Sequence, residues 1–384
     1  MEVEFSETQR LLRDSARNFL ATECPKGKVR ELEEDQGKGY SPETWKKLVK
    51  LGWLGLIMPE EYGGEGMTFQ DLTIVIEEMG RNIFPGPFFC TVITGGIPIL
   101  EAGTEEQKRE YLPKIATGDT IITLALVEGM RPYTPKDIAC KATPDGDSFV
   151  INGTKLFVEM AHVADYIICT TRTTSDSSED GTSIIIVNAH SPGIHVEVMP
   201  TMGMDKLCEV NFENVAVPKG NLLGERDKGW PIIEKLISKG AIAKCAEVVG
   251  GMEASMEMTV SYSKERIQYD RPIGAFQVLQ HWMADMYIAM ETSRYLCYKA
   301  VWLASEGNPC DKDASLAKAY INEAYKSLTQ KAVRIHGGMG TTRDHDIGLY
   351  FRRAKTMSIA FGDTSYHRNR VSNGIGLRKL PSLD

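Results

Sequence analysis

Asp145-Gly146-Asp147-Ser148-Phe149-Val150-Ile151-Asn152-Gly153 is the stretch on which the fold turns. Ser148 to Ile151 is short, aromatic and β-branched. A turn dipeptide stands on either side, Asp145-Gly146 before it and Asn152-Gly153 after it, and both read as hairpin signals. Up to about residue 118 the apolar residues recur with a helical period, and from about residue 120 they alternate. Tyr166 to Cys169, Ser183 to Val187, Ile194 to Val198 and Cys208 to Val217 carry on as short strands, with the polar tract Thr173 to Gly181 between the first two. Such a series predicts an antiparallel sheet domain in the middle of the chain.

Helical signals lie on both sides of it. Ser6-x-x-Gln9 is a capping box, followed by an apolar face of Leu12, Ala16, Phe19 and Leu20. Ser41-Pro42 supplies an N-cap with proline at N1, Trp45, Leu48 and Val49 face inward, and Gly52 marks a stop. Thr104-x-x-Gln107 opens another helix, with Tyr111, Leu112 and Ile115 on one side, whereas glycine-rich Pro59 to Gly66 predicts a loop. Beyond Gly229-Trp230 the helical pattern returns. Leu279, Met283, Met286 and Met290 form a stripe that Gly307 ends, and a second long helix over Ala314 to Ile335 stops at Gly337-Gly338. These long striped helices predict a four-helix bundle. The expected class is α+β, with an N-terminal helical domain over 1–119, a middle β-sheet domain over 120–229 and a C-terminal bundle over 230–384.

Composition narrows the function. The 384 residues are 42% hydrophobic and 25% charged, which suits two or three globular domains and excludes wholesale disorder. No apolar run reaches the ~18–20 residues a bilayer span needs, and acidic Met1 to Phe5 lacks the features of a signal peptide. A net charge of -8 argues against a nucleic-acid role. Eight scattered cysteines form no CxxC pair, which speaks against a zinc ribbon, a redox dithiol or a disulfide framework and for reduced thiols in the cytoplasm. The seven histidines show no i, i+3 or i+4 pairing, so no metal site is expected. Walker A, HExxH and GxSxG are absent, and Gly337-Gly338-Met339-Gly340 follows a helix rather than a strand, unlike a dinucleotide fingerprint.

Arg266-Ile267-Gln268-Tyr269-Asp270-Arg271-Pro272-Ile273, followed by Phe276-Gln277, is similar to R-x-Q-F-G-x-P-I…F-Q. A second stretch runs from Ile335-His336-Gly337-Gly338-Met339-Gly340-Thr341-Thr342 to Lys355; Lys155 to Asp165 and Glu209 to Gly224 supply two more. On these stretches, in order, the chain resembles the acyl-CoA dehydrogenase family over essentially its whole length. The resemblance implies FAD-dependent α,β-dehydrogenation of an acyl-CoA thioester, in which a carboxylate takes the Cα proton and FAD accepts hydride from Cβ. It also implies electron-transfer flavoprotein as the acceptor, and a homotetramer, or a heterotetramer with a paralogue, whose FAD sites are shared between subunits. Carried over residue by residue, it assigns cofactor binding to Leu126, Val127, Phe157, Val158, Glu159, Arg266, Gln268, Phe276, Gln277, Arg334, His336, Gly337, Gly338 and Thr364. Arg266 would reach the FAD pyrophosphate of a neighbouring subunit.

The departures from the family pattern are concentrated at the chemistry. Phe361-Gly362-Asp363-Thr364 places glycine where the family's E-G-T turn carries its glutamate base, and the alternative base position falls on Gly240, followed by Ala241. Val127 and Glu159 replace two threonines that contact the flavin, and Arg334 replaces a glutamine on the ADP side. Asp363 is the first replacement base, Glu159 the second and Glu247 the third; in a structural role Asp363 would bond the backbone or His367. Three functions are compatible with this pattern: dehydrogenation of a bulky, cyclic or otherwise unusual acyl-CoA with a relocated base, a base-less subunit paired with a paralogue, and a flavin-containing elimination or lyase activity. Phe84 to Gly96 is apolar and lacks an acid, which disfavours a dianionic acyl group unless Arg131 reaches it.

Overall fold

Three helix starts lie where their sequence signals place them. Ser6 and Thr104 each close a reciprocal capping box with the glutamine three residues on, and Ser41 caps the helix that begins at Pro42. A computed structural model describes residues 5–129, 133–174 and 181–375. Its α-helices are α1 (Glu7–Glu23), α2 (Lys26–Glu34), α3 (Pro42–Lys50), α4 (Phe69–Asn82), α5 (Ile97–Ala102), α6 (Glu105–Ala116), α7 (Trp230–Glu265), α8 (Gln277–Ser305), α9 (Asp311–His336), α10 (Ile347–Met357) and α11 (Thr364–Gly374). Its strands are β1 (Ile122–Ala125), β2 (Lys141–Asp145), β3 (Ser148–Glu159), β4 (Tyr166–Arg172), β5 (Thr182–Asn188), β6 (Ile194–Val198), β7 (Leu207–Pro218), β8 (Leu222–Leu223), β9 (Ile267–Gln268) and β10 (Arg271–Pro272). The helix–sheet–helix order matches the expected layout. Of the described residues, those in 5–30, 69–84 and 241–375 form one unit and those in 31–68 and 85–240 another.

The second unit is built on an eight-stranded sheet of order β6-β7-β3-β2-β4-β5-β8, with β1 beside β4. Pairings are antiparallel except for β1 with β4 and a single β2–β4 contact, which are parallel. Asp145 pairs with Ser148, so Gly146 (φ +52) and Asp147 form the two-residue hairpin loop that the sequence announces. Asn152-Gly153 is different: it lies inside β3, as a bulge against β7 rather than a turn. Gly153 has φ +150, a Cβ there would stand 2.8 Å from Cys140 Cα, and the Asn152 carboxamide oxygen accepts from Asn214 N at 2.8 Å. The dipeptide therefore bends a continuous strand. Phe149, Ile151, Ile167, Ile185, Val210 and Phe212 make up much of the sheet core, each side chain contributing roughly 1.5–3 kcal/mol of burial. Preceding α5, Cys90–Gly96 is a buried π-helix. A Cβ on its Gly95 would meet Ile122 Cβ at 2.8 Å, so the glycine lets β1 lie against this turn.

In the other unit α4 and α7 touch backbone to backbone. A Cβ at Gly80 would fall 1.8 Å from Glu247 O, and one at Gly250 1.8 Å from Glu77 O. Helices α8, α9 and α11 join residues 241–265 of α7 in the bundle part of this unit. Met286 and Met290 are buried on α8, and α9 buries Ala317, Ile321, Tyr325, Leu328 and Ala332. Lys318 and Asn322 lie on that same buried face.

Candidate active site

In the sheet unit the chain leaves β1 through Leu126, Val127 and Glu128, and this segment is wired on every side. Lys155, with no exposed surface, sends its ammonium to Glu128 Oε1 (2.5 Å), Thr170 Oγ1 (2.9 Å) and Leu126 O (3.3 Å). Glu128 Oε2 in turn accepts from Ala139 N and Cys140 N at 2.7 and 2.9 Å. Val127 O accepts from Leu156 N at 2.7 Å. That bond takes Leu156 out of the β3–β7 ladder, whose register shifts between Lys155 and Val158. The next residue, Phe157, has φ +57 and is 44% exposed, an unusual combination for a bulky side chain. Val158 points into the sheet core, so only its backbone is free to face a ligand. Glu159 is half-buried, and its carbonyl accepts from Thr123 Oγ1 at 2.6 Å. Arg131 lies outside the described residues.

In the helical unit Arg266 and Gln268 sit at the ribbon β9–β10, whose turn is made by Tyr269 (φ +54) and Asp270 (φ +59). Both are exposed, and Arg266 engages no carboxylate among the described residues. Phe276 is half-buried beneath the Arg271 guanidinium, 4.3 Å from its ring centroid, and Gln277 is the exposed first residue of α8. At the end of α9, Arg334 is exposed and His336 is buried, stacked on Tyr262 with centroids 4.5 Å apart. His336 Nδ1 donates to Ala332 O at 2.8 Å, so Nε2 is a bare acceptor, and it has no partner. Burial holds this imidazole below its usual range and therefore neutral.

The glycines beside it bear on the cofactor. Gly337 has φ +60 and needs glycine for its backbone. Gly338 has no positive φ, and a Cβ there would meet nothing within 4 Å. Nothing in the chain's own fold requires glycine at 338, and the bare backbone there leaves room for a ligand to approach. Together with the unpartnered His336 Nε2 and the unpaired Arg266, these residues fit an elongated anionic cofactor such as FAD.

Thr364 opens α11 with its hydroxyl donating to Glu323 Oε1 at 2.7 Å. Asp363 is the exposed N-cap of that helix, with Oδ1 accepting from Tyr366 N at 2.7 Å. Of the two structural partners weighed for it, the carboxylate takes the backbone; His367 instead bonds Phe361 O and Ser315. Gly362 has φ +107, and a Cβ would stand 2.4 Å from Tyr366 Cδ1 and 2.7 Å from His367 Nε2. A side chain at 362 would thus be driven into α11. Glu247 is half-buried and paired with Lys244 at 2.8 Å.

Sequence reasoning gave no role to Lys155, Lys318, Asn322 or Ser315, and met His367 only as a partner for Asp363. A signal existed for Lys318 and Asn322, which interrupt the apolar face of α9 one turn apart.

Comparison with known proteins agrees with this architecture. Family models for the acyl-CoA dehydrogenase N-terminal, middle and C-terminal domains match residues 6–119, 129–215 and 227–376. The chain is 31% identical to the probable acyl-CoA dehydrogenase YngJ of Bacillus subtilis, over 96% of this chain and 98% of that protein. It is 30% identical to the caffeyl-CoA reductase-Etf complex subunit CarC of Acetobacterium woodii, over 98% and 100%. Among solved structures it is similar to a chain of the ChsE4-ChsE5 complex from Mycobacterium tuberculosis, with TM-score 0.89, 26% identity and full coverage of both chains. The chain belongs to the acyl-CoA dehydrogenase family and is an oxidoreductase of that class. Membership implies FAD. No helix among the described residues is long and apolar enough to cross a membrane.

Proposed function

We propose that the chain binds FAD and removes two hydrogens across the α,β bond of a bulky or cyclic acyl-CoA thioester, with Asp363 as the base and an electron-transfer flavoprotein as the electron acceptor. The cofactor part of this reading is carried by His336 Nε2, a buried acceptor with no partner among the described residues, next to the open backbone of Gly337-Gly338. Bound FAD supplies the two-electron acceptor for the hydrogen leaving Cβ. Asp363 takes the Cα proton: its Oδ1 is tied to Tyr366 N, which fixes the carboxylate on the α11 N-terminus and leaves Oδ2 for the proton. Glu159, beside strained Phe157 on β3, is the second candidate. The CarC name supports the flavoprotein partner, and it also indicates that such a site can run as a reductase. Eight free thiols support a reducing, cytoplasmic compartment. Exposed Tyr287, Ile288 and Tyr295 on α8 support assembly through this helix.

The deciding experiment is anaerobic titration of the purified holoprotein with a panel of acyl-CoAs while the flavin absorbance is followed. Bleaching identifies the substrate class; turnover with the flavin left oxidised would point to elimination instead. In stopped flow, Asp363→Asn is expected to slow bleaching by at least about 10²-fold, and a wild-type rate would remove Asp363 from the chemistry. A protein that neither copurifies with FAD nor takes it up would overturn the whole reading.

One observation favours a second reading. The backbone at Gly362 excludes the family's usual base, and ChsE4-ChsE5 is a complex of two chains, so a paralogue could bring the glutamate. In that case the chain alone bleaches with no acyl-CoA and gains activity only when the paralogue is coexpressed.

A further inference from the structure

The segment that joins α10 to α11 carries no regular structure, yet its carbonyls at Phe361 and Gly362, and the last carbonyl of α10, are gripped from inside the bundle. Met357 O accepts from Lys318 Nζ at 2.6 Å, Phe361 O from His367 Nε2 at 2.8 Å, and Gly362 O from Asn322 Nδ2 at 3.5 Å. Lys318 also donates to Asn322 Oδ1 at 2.8 Å. Because a carbonyl only accepts, the His367 proton is on Nε2, and Nδ1 accepts from the Ser315 hydroxyl at 3.2 Å. Lys318, Ser315, Asn322 and His367 are each no more than 2% exposed.

Burying an ammonium is costly, and apolar residues of similar volume would often serve stability as well or better. What the polar set adds is a single geometry for the turn. That geometry is strained: Phe361 (φ +56) and Gly362 (φ +107) are consecutive left-handed residues, and a non-glycine there costs about 1–2 kcal/mol. Such a turn persists only where its surroundings over-determine it. The next residue is Asp363, extended (φ -79, ψ 176) and capping α11.

We infer that Lys318 and His367 are positioning residues for the reaction: by clamping the Met357 and Phe361 carbonyls they fix the strained Phe361–Gly362 turn and thereby the place of the Asp363 carboxylate. The inference rests on the reading of Asp363 as the base. Burial supports it from a second side, since it pushes the His367 imidazole down to about 3 and keeps this clamp neutral at working pH.

The test uses FAD-loaded protein and reads FAD per chain, the limiting rate of flavin bleaching by a competent acyl-CoA, and the concentration that half-saturates it. Lys318→Met and His367→Phe are expected to keep FAD and half-saturation near wild type while the limiting rate falls at least about 10-fold, since displacement of a reacting group by ~1 Å costs up to ~10²-fold. His367→Gln retains an amide donor for Phe361 O and is expected to recover most of the rate. Ser315→Ala, a small change that removes only the hydroxyl on Nδ1, is expected to slow bleaching severalfold and serves if the larger variants do not fold. Wild-type limiting rates in Ser315→Ala and in whichever larger variants fold would overturn the inference, whatever the loss of thermal stability. Asp363→Asn, run alongside, separates the two failures: a wild-type rate there overturns the base assignment rather than the clamp.

Discussion

Phe157 and Phe361 have nearly the same backbone angle, φ +57 and +56, and are held in it by opposite means. Phe157 lies in a sheet, and what keeps it there is main chain: Leu156 N bonds Val127 O, and the β3–β7 ladder resumes at Val158. Side-chain anchors nearby are the Lys155–Glu128 pair, beneath the segment that supplies the Val127 carbonyl, and the Thr123 hydroxyl on Glu159 O. Phe361 lies between two helices with no ladder to rejoin; a side chain from α11 holds its own carbonyl, and one from α9 holds that of Met357 at the end of α10. A left-handed residue in a sheet is therefore tolerant of its own identity, whereas one between helices is hostage to buried groups a helix away.

The largest expected effect comes from filling the helical turn. Gly362→Glu restores the family's usual base in sequence, but the added Cβ meets Tyr366 and His367 at φ +107. We expect a loss of about 3 kcal/mol or more and no gain in bleaching rate; a stable, faster holoenzyme would show that the turn is softer than described. Next is the sheet's anchor. Lys155→Met leaves Glu128 unpaired in a nearly buried site, expected to cost about 3–5 kcal/mol in denaturant unfolding. Adding Glu128→Gln should recover most of it, and failure to recover would mean that Lys155 acts through Leu126 O or Thr170 rather than through the ion pair.

The helical turn should also respond to acid. The folded His367 pKa, near 3, is below its unfolded value, so the contribution is complete above about 6.5 and is lost as pH falls through the interval to 3. His367→Gln is expected to flatten that limb of the stability–pH curve. Unchanged curvature in His367→Gln would place the acid-sensitive group elsewhere. The smallest effect is expected at Phe157→Gly: relief of the left-handed angle, about 1–2 kcal/mol, is offset by the entropy of glycine and the loss of a half-exposed ring. Thermal unfolding of the FAD-free protein should move by no more than a few degrees, and a large drop would show that the ring is a packing element.

Most of the architecture was legible in the sequence because its signals are local. Ser6, Ser41 and Thr104 cap helices as read, Gly307 and Gly337 end them, and Gly146 makes its hairpin. Asn152-Gly153 misled because a turn dipeptide and a bulge use the same glycine freedom, and only the partner strand tells them apart. At the site, motif spacing identified His336 and Gly338 as neighbours at a helix end but gave no hint that Nε2 would be left without a partner. The Lys318 clamp joins residues about forty positions apart through main-chain carbonyls, which carry no side-chain signature at all.

The close approach of α4 and α7 at Gly80 and Gly250 has a consequence in time rather than in space. Helix α4 is buried along nearly its whole length, against α1 as well as against the stretch of α7 around Glu247 and Gly250. Roughly 170 residues separate Gly80 from Gly250, so during translation at ~5–20 residues per second α4 waits on the order of ten to thirty seconds for the α7 surface it must meet. During that interval an apolar helix (Leu72, Ile74, Val75, Ile76, Met79) has α1 available to it but not the α7 surface that completes its burial. The unit it belongs to is therefore completed only when residues 241–375 have been made, long after α1 and α4.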